Sequence, residues 1–250
     1  MPKESTYLYA VVRAGVGAPE VEGLEGARPV VIEAGGLGVL ASPISCGAVR
    51  PRRANLAAHQ RVVAAAAKGT ALPLAFGMIV RSIEEARGML ETHGEALAGE
   101  LERIDGCVEM GVRVRVDGAD PVSFLVEQDT RLRSMRDELV AAGADAPHHL
   151  RVAVGEAFAK RLEQERDGAY TGLVSAVNDA AHEVTENAPK ADAELANAAF
   201  LVSRDELGAF EAAVHAFAAS LSDEYAIDLT GPWAPHHFVD LHLEVEPAAA

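Results

Sequence analysis

Cysteine is nearly missing from this sequence. The two present, Cys46 and Cys107, lie far apart and in no metal or redox spacing, so both read as small buried apolar side chains. Aromatic residues make up 5%, with a single tryptophan, Trp233. No stretch reaches the roughly 20 apolar residues of a membrane span; Arg61 and Lys68 interrupt the richest one. The start, Met-Pro-Lys-Glu-Ser, has no apolar signal core, so a cytoplasmic protein without a membrane partner is expected. Positive charge is scarce as well. Against 38 Asp and Glu there are 22 Lys and Arg, a net charge of −16 and a pI near 4.9. Such a surface repels phosphate backbones and gains nothing from counterion release, which argues against nucleic acid. The one compact basic tract, Arg50-Pro-Arg-Arg53, is short and reads as a solvated loop.

What is present is ordinary for a soluble globular chain. Hydrophobic residues make up 49% and charged residues 24% of the 250. A chain of this length buries roughly 70–75% of its unfolded surface and needs neither disulfide nor metal to fold. Much of the hydrophobic share is alanine, which favours helix but buries little, so the core falls to scattered Leu, Val, Ile and Phe. Excess negative charge suits a protein that keeps a sticky partner in solution.

The pattern predicts an α+β protein of two domains, residues 1–103 and 104–250. In the first, Thr6–Val12 is a strand, and Pro29–Glu33 and Leu37–Ser42 form a hairpin about Ala34-Gly35-Gly36. Asn55 is placed to N-cap a helix over Leu56–Lys68. Leu72–Val80 reads as a strand that Pro73 confines to an edge, and Ser82 with Glu85 opens a helix carrying Ile83, Ala86, Leu90, Leu97 and Leu101. In the second domain, Gly106–Val116 alternates, with Val108, Met110, Val112, Val114 and Val116 inward and Glu109, Arg113 and Arg115 outward. A long helical region follows, with breaks expected at Gly143 and Gly168 and its apolar stripe running on to Val184. Asn197–Val202 is a strand, Leu207–Leu221 the clearest amphipathic helix, and Tyr225–Leu229 and Phe238–Val245 two further strands. The order suggests a ferredoxin-like layer enlarged by a helical insertion.

Nine histidines raise the question of metal. His236, Asp240 and His242 share a face if Phe238–Val245 is a strand, which would make a metal-dependent enzyme the alternative reading. Alternation equally makes that face the solvated side of a strand whose Val239, Leu241, Leu243 and Val245 are buried. His148 and His149 are adjacent at a helix start and point apart. His59 has no nucleophile or carboxylate signature beside it and reads as packed or hydrogen-bonded. Gly35-Gly36-Leu37-Gly38 has neither dinucleotide-binding nor Walker spacing, and no nucleophile elbow or zinc-protease pair occurs. No catalytic residue and no cofactor are therefore assigned.

Gly231-Pro232-Trp233-Ala234-Pro235 differs in kind. Two prolines stiffen the backbone around the only tryptophan. A rigid segment presenting a large amphipathic ring is a common form of binding anchor; the alternative is a ring folded back as a lid on its own domain.

Six segments in order resemble the gas vesicle F/L family. They are Tyr7-Leu8-Tyr9; Asn55-Leu-x-x-His59; Leu72-Pro73-x-x-Phe76-Gly77; Gly106-x-x-Glu109-x-x-Val112; Asn197–Val202; and Gly231-Pro232-Trp233-x-Pro235-x-x-Phe238-Val239. The sequence departs from the family at Ala75 (usually Arg), at Ala234 (usually Pro) and at His236-His237. The resemblance implies two α+β domains, the second a modified ferredoxin-like fold. It also implies an accessory role in gas vesicle assembly without catalysis: binding the small hydrophobic shell protein, limiting its aggregation during nucleation, and meeting other accessory proteins at the gas vesicle. Asn55, His59, Leu72, Pro73, Phe76, Gly77, Gly231, Pro232, Trp233, Pro235 and Phe238 are its candidate contact residues.

Overall fold

The structure is a computed structural model that describes residues 5–45, 47–118 and 120–239. It divides into two compact units. The first comprises residues up to Glu109 with the described residues from Pro232 onward, and the second Met110–Gly231. This differs from the expected 1–103 and 104–250, because the chain after Pro232 buries Ala234 and Phe238 in the first unit. The protein is mixed α and β with two antiparallel sheets.

In the first unit, β1 (Ser5–Arg13) is central. β2 (Val30–Ala34) and β3 (Leu37–Ile44) lie on one side of it and β4 (Ala71–Pro73) on the other, in the order β2-β3-β1-β4; β5 (Ile79–Val80) also pairs with β1. The β2–β3 turn puts Gly35 at φ +59° and Gly36 at +81°, the two positive values a tight hairpin needs. The predicted Leu72–Val80 strand is in fact β4 and β5, separated by a turn in which Gly77 takes φ +93°. Pro73 sits on the edge strand, where its missing N–H costs nothing.

A bulge in β1 shapes this core. Leu8 pairs with Ala41 and Ala10 with Leu40, leaving Tyr9 without an opposite residue. The extra residue shifts the side-chain alternation, so Tyr7, Tyr9, Ala10 and Val12 all join the cluster beneath α1 (Arg53–Ala66), with Ala58, Val62 and Val63. The expected cap is corrected here. Asn55 lies inside α1, and the N-cap position is Arg52, which makes no side-chain cap. The capping box at Ser82 is present: Ser82 Oγ accepts the Glu85 N–H at 3.2 Å. The helix it starts ends at His93, giving α2 (Ile83–Thr92) and α3 (Gly94–Arg103). Their Ala86, Leu90, Leu97 and Leu101 are buried, while Ile83 is exposed.

The second unit is built on β6 (Cys107–Val116), which begins in the first unit and continues into the second. Three helices follow, α4 (Pro121–Gln128), α5 (Thr130–Ala142) and α6 (His148–Val177). Then come the hairpin β7 (Glu183–Glu186) and β8 (Glu194–Ser203), α7 (Leu207–Ser220) and β9 (Tyr225–Trp233). The strand order β7-β8-β6-β9 with this connectivity is the βαββαβ ferredoxin-like arrangement, its first helix replaced by three. Met110, Val112 and Val114 of β6 and Ala196, Ala198, Phe200 and Val202 of β8 face Leu173 and Val177 of α6 and Phe210 and Val214 of α7. The Phe200 and Phe210 rings lie 5.3 Å apart.

Two expectations fail in this unit. The helical stripe does not reach Val184, which is exposed on the short edge strand β7. Nor does Gly168 break the helix: α6 runs 30 residues without interruption. A glycine costs a helix only about 1 kcal/mol, which tertiary packing outweighs. At Gly172 the missing side chain is used, since a Cβ there would stand 3.2 Å from the Phe217 ring of α7. Gly172→Leu is predicted to destabilise the protein by about 1–3 kcal/mol through overpacking, despite leucine's better helix propensity. Thermal unfolding checks this, and an unchanged or raised Tm would show that α7 yields. The predicted strand Phe238–Val245 starts outside sheet geometry, because Phe238 ends a 3-10 turn (His236–Phe238); its remainder from Asp240 lies outside the described residues.

Candidate functional site

The sequence-predicted residues of the first unit gather in two places. The first is an aromatic knot under α1. Tyr7 and Tyr9 share a side as alternate residues of β1, to which the bulge adds Ala10, and their ring centroids lie 4.9 Å apart. His59, buried on α1, stacks on Tyr9 at 5.8 Å and meets the Tyr7 and Phe76 rings edge-on at 5.7 Å each. The Gly77 N–H donates to Tyr7 Oη at 2.9 Å, and Tyr7 Oη lies 3.0 Å from His59 Nδ1. With the Leu74 backbone also bonded to the imidazole, the arrangement is satisfied when His59 is neutral, accepting at Nδ1. Burial, with repulsion from His236, pushes the His59 pKa down to about 4. Burial likewise pushes Tyr7 up to about 12, opposed by the Gly77 N–H. Tyr9 Oη accepts the Leu24 N–H at 2.9 Å and contacts Ser42 Oγ at 2.7 Å.

This knot is a packing device. It holds Tyr7, His59, Phe76 and Gly77 together, while Leu72 and Pro73 of β4 serve the sheet edge. Asn55 stands apart. Its side-chain amide donates to the Arg50 carbonyl at 3.0 Å, fastening the loop before α1.

The second place is the segment after Gly231, which extends β9 as far as Trp233 rather than forming a loop. Gly231 takes φ +120°, a conformation open to glycine. Ala234 enters the core cluster of Tyr7, Tyr9 and Val62, and Phe238 is buried. Pro235 leads into the 3-10 turn, and the Arg103 guanidinium donates to the Phe238 carbonyl. Glu109, expected on a solvated face, is only 5% exposed and clamps this turn. It accepts the His237 N–H at 2.9 Å and lies 2.7 Å from His237 Nδ1.

Between neighbours fixed in this way, Trp233 remains 53% exposed, so the lid reading is corrected. It borders a largely carbon-walled hollow of about 440 Å³ lined by Gln60, Ala64, Glu109, Ala234, His236 and His237. Among the described residues the Nε2 of His236, buried there, has no hydrogen-bond partner, and burial holds its imidazole below the usual pKa. Gln60 and Ala64 were missed in the sequence because small and polar residues on the exposed side of a helix carry no signal. Glu109 lay inside a family motif, but strict alternation concealed its burial. Of the alternative metal trio, Asp240 and His242 lie outside the described residues. Among the described residues no three His, Cys, Asp or Glu side chains are grouped to hold a metal. Among them, too, no helix is long and apolar enough to cross a membrane.

The geometry has close counterparts. The sequence model for the family described as gas vesicle synthesis protein GvpL/GvpF matches residues 5–240. Gas vesicle protein F of Streptomyces sp. (strain CB03234) is 29% identical over 94% of this chain and all of its own length. Gas vesicle protein F1 of Halobacterium salinarum is 26% identical over 97% of this chain and 96% of its own. The crystal structure of gas vesicle protein GvpF from Anabaena sp. PCC7120 superposes with a TM-score of 0.83 at 20% identity, over 96% of this chain and 99% of that one. That of GvpF from Microcystis aeruginosa gives 0.78 at 20%, over 95% and 99%. These two matches share the fold described above, and the sequence matches extend over both units: the chain belongs to the gas vesicle synthesis protein GvpL/GvpF family.

Proposed function

We propose that this chain carries out its accessory role in gas vesicle assembly by binding the small hydrophobic shell protein and limiting its aggregation while shells nucleate. The observation that carries this reading is Trp233, a half-exposed indole held on a rigid strand end beside an apolar hollow. An exposed aromatic that its own fold does not cover is the form a binding anchor takes. The net charge of −16 supports the second part, because a complex that keeps such a surface repels its copies and stays dispersed. The role asks for no catalytic group, and it sets the protein at the gas vesicle, facing other assembly proteins as well.

Co-expression with the shell protein tests this. The expected result is a soluble complex recovered by affinity capture and less shell protein in the pellet. Failure to co-purify across several salt concentrations, with the pellet unchanged, would overturn it.

A further inference from the structure

Net charge conceals an uneven distribution along this chain. Between Glu33 and Glu84 there is no aspartate or glutamate, yet Arg50, Arg52, Arg53, Arg61, Lys68 and Arg81 all fall there. Arg81 is paired with Glu85 at 3.1 Å. Arg50, Arg52 and Arg53 are exposed, and their guanidinium groups have no ion-pair partner among the described residues. They are also held in place. The Arg50 carbonyl accepts from the Asn55 amide at 3.0 Å and from the Arg52 N–H at 2.7 Å. Arg50 and Arg52 rim a hollow of about 220 Å³ that includes Leu24 and Val49. The carboxylate on its lining, Glu25, is engaged by the N–H and hydroxyl of Ser45 at 3.1 and 2.9 Å.

Helix α1 connects this cationic corner to the Trp233 hollow. Arg53, Leu56, Ala57, Gln60 and Ala64 recur at helical spacing on its exposed side. At 1.5 Å per residue, Arg53 and Ala64 are about 16 Å apart. Leu56 is 40% exposed in the middle of this ridge, and Gln60 and Ala64 form the α1 wall of the hollow.

We propose that this face of α1 docks an amphipathic helix of the shell protein, an apolar side chain entering the Trp233 hollow and carboxylates meeting Arg50, Arg52 and Arg53 about three helical turns away. The proposal rests on the shell-binding reading above and adds the chemistry of the docked segment. The exposed arginines call for carboxylates on the docked segment. A short segment bearing a few carboxylates needs only the local patch, whereas an extended polyanion such as a nucleic acid would also meet the strongly negative remainder of the surface. The arginines set register and speed encounter, and the hollow supplies the apolar contact.

The test compares wild type with two triple variants, R50E/R52E/R53E and R50K/R52K/R53K, each co-produced with the shell protein and captured from about 0.05 to about 0.5 M NaCl, a range that shortens the screening length severalfold. Wild type should retain shell protein best at low salt. The glutamate triple should retain at least tenfold less there and lose the salt dependence, while the lysine triple stays near wild type. Equal retention with equal salt dependence in the glutamate triple, at an unchanged melting curve, overturns this proposal and leaves the Trp233 reading standing. No retention by wild type at any salt overturns both. Binding of RNA or of anionic phosphatidylserine vesicles that the glutamate triple abolishes, with shell-protein capture unaffected, would assign the patch to another class of partner and overturn it too.

Discussion

Trp233→Ala should lower capture of the shell protein more than tenfold while leaving the fold intact. The ring is 53% exposed, so its removal strips little from the core. Ala234 and Phe238, which anchor the same segment, are untouched. At an interface, loss of a central tryptophan costs about 2 kcal/mol or more, and each 1.4 kcal/mol is about tenfold in affinity. Capture from co-expressing cells, with far-UV circular dichroism to follow folding, reads both quantities. Ala64→Glu on the opposite wall should act in the same direction by placing a charge in the hollow. Full binding in both variants would remove the hollow from consideration. Unfolding of Trp233→Ala would reassign the indole to the core.

The second large effect is on acid stability. His59 has a folded-state pKa near 4 against 6.5 for the free side chain, because burial and His236 both disfavour its charged form. The unfolded chain therefore takes up this proton first as pH falls. Stability from His59 is fully present above about pH 6.5, declines through the window down to about 4, and is flat below it. At 1.36 kcal/mol per pKa unit the loss is on the order of 3 kcal/mol. His236 is shifted in the same direction by burial and adds to it. The groups acting on His59 are Tyr7, Tyr9, Phe76, the Leu74 backbone and His236, so among the described residues no carboxylate of the knot offsets its protonation. The fluorescence of the only tryptophan, which lies in this unit, reports its unfolding. Wild type should lose stability between pH 6.5 and 5, above the range of ordinary carboxylates. His59→Gln, weaker at neutral pH, should lose most of that slope, and an unaltered slope would rule His59 out.

Much of this fold could be read in the sequence, for physical reasons that also explain the failures. β6 was legible because Met110, Val112 and Val114 on one face pack with Leu173 and Val177 of α6 and Phe210 and Val214 of α7, and a half-buried strand imprints alternation. β1 was found as a strand, but its bulge was hidden: Tyr7, Tyr9, Ala10 and Val12 break the two-residue period, and only the partner strand reveals the extra residue. β7 was absorbed into a helix because Glu183–Glu186 is a short, exposed edge with no apolar pattern of its own. Gly168 looked like a break because propensity is local, while the packing that overrides it is not. Family motifs named Tyr7, His59 and Phe76, but motif spacing could not show that the three rings pack against one another. For the hollow, the sequence pointed to Glu109 and to the segment from Trp233 to His237. Its other wall comes from Gln60 and Ala64, some 170 residues earlier in the chain, a juxtaposition only the fold creates.

The route of the chain also constrains how the protein is made. The first unit draws on residues up to Glu109 and again from Pro232. Glu109 finds His237 and Arg103 finds Phe238 only once the chain has left the ribosome past Phe238. Met110–Gly231 is contiguous and can assemble as soon as it emerges, whereas the first unit must wait for the residues from Pro232 onward. A nascent chain stalled before Trp233 would thus expose an unfinished first unit to chaperones and proteases, and the hollow beside Trp233 would take shape only after Met110–Gly231 has been made.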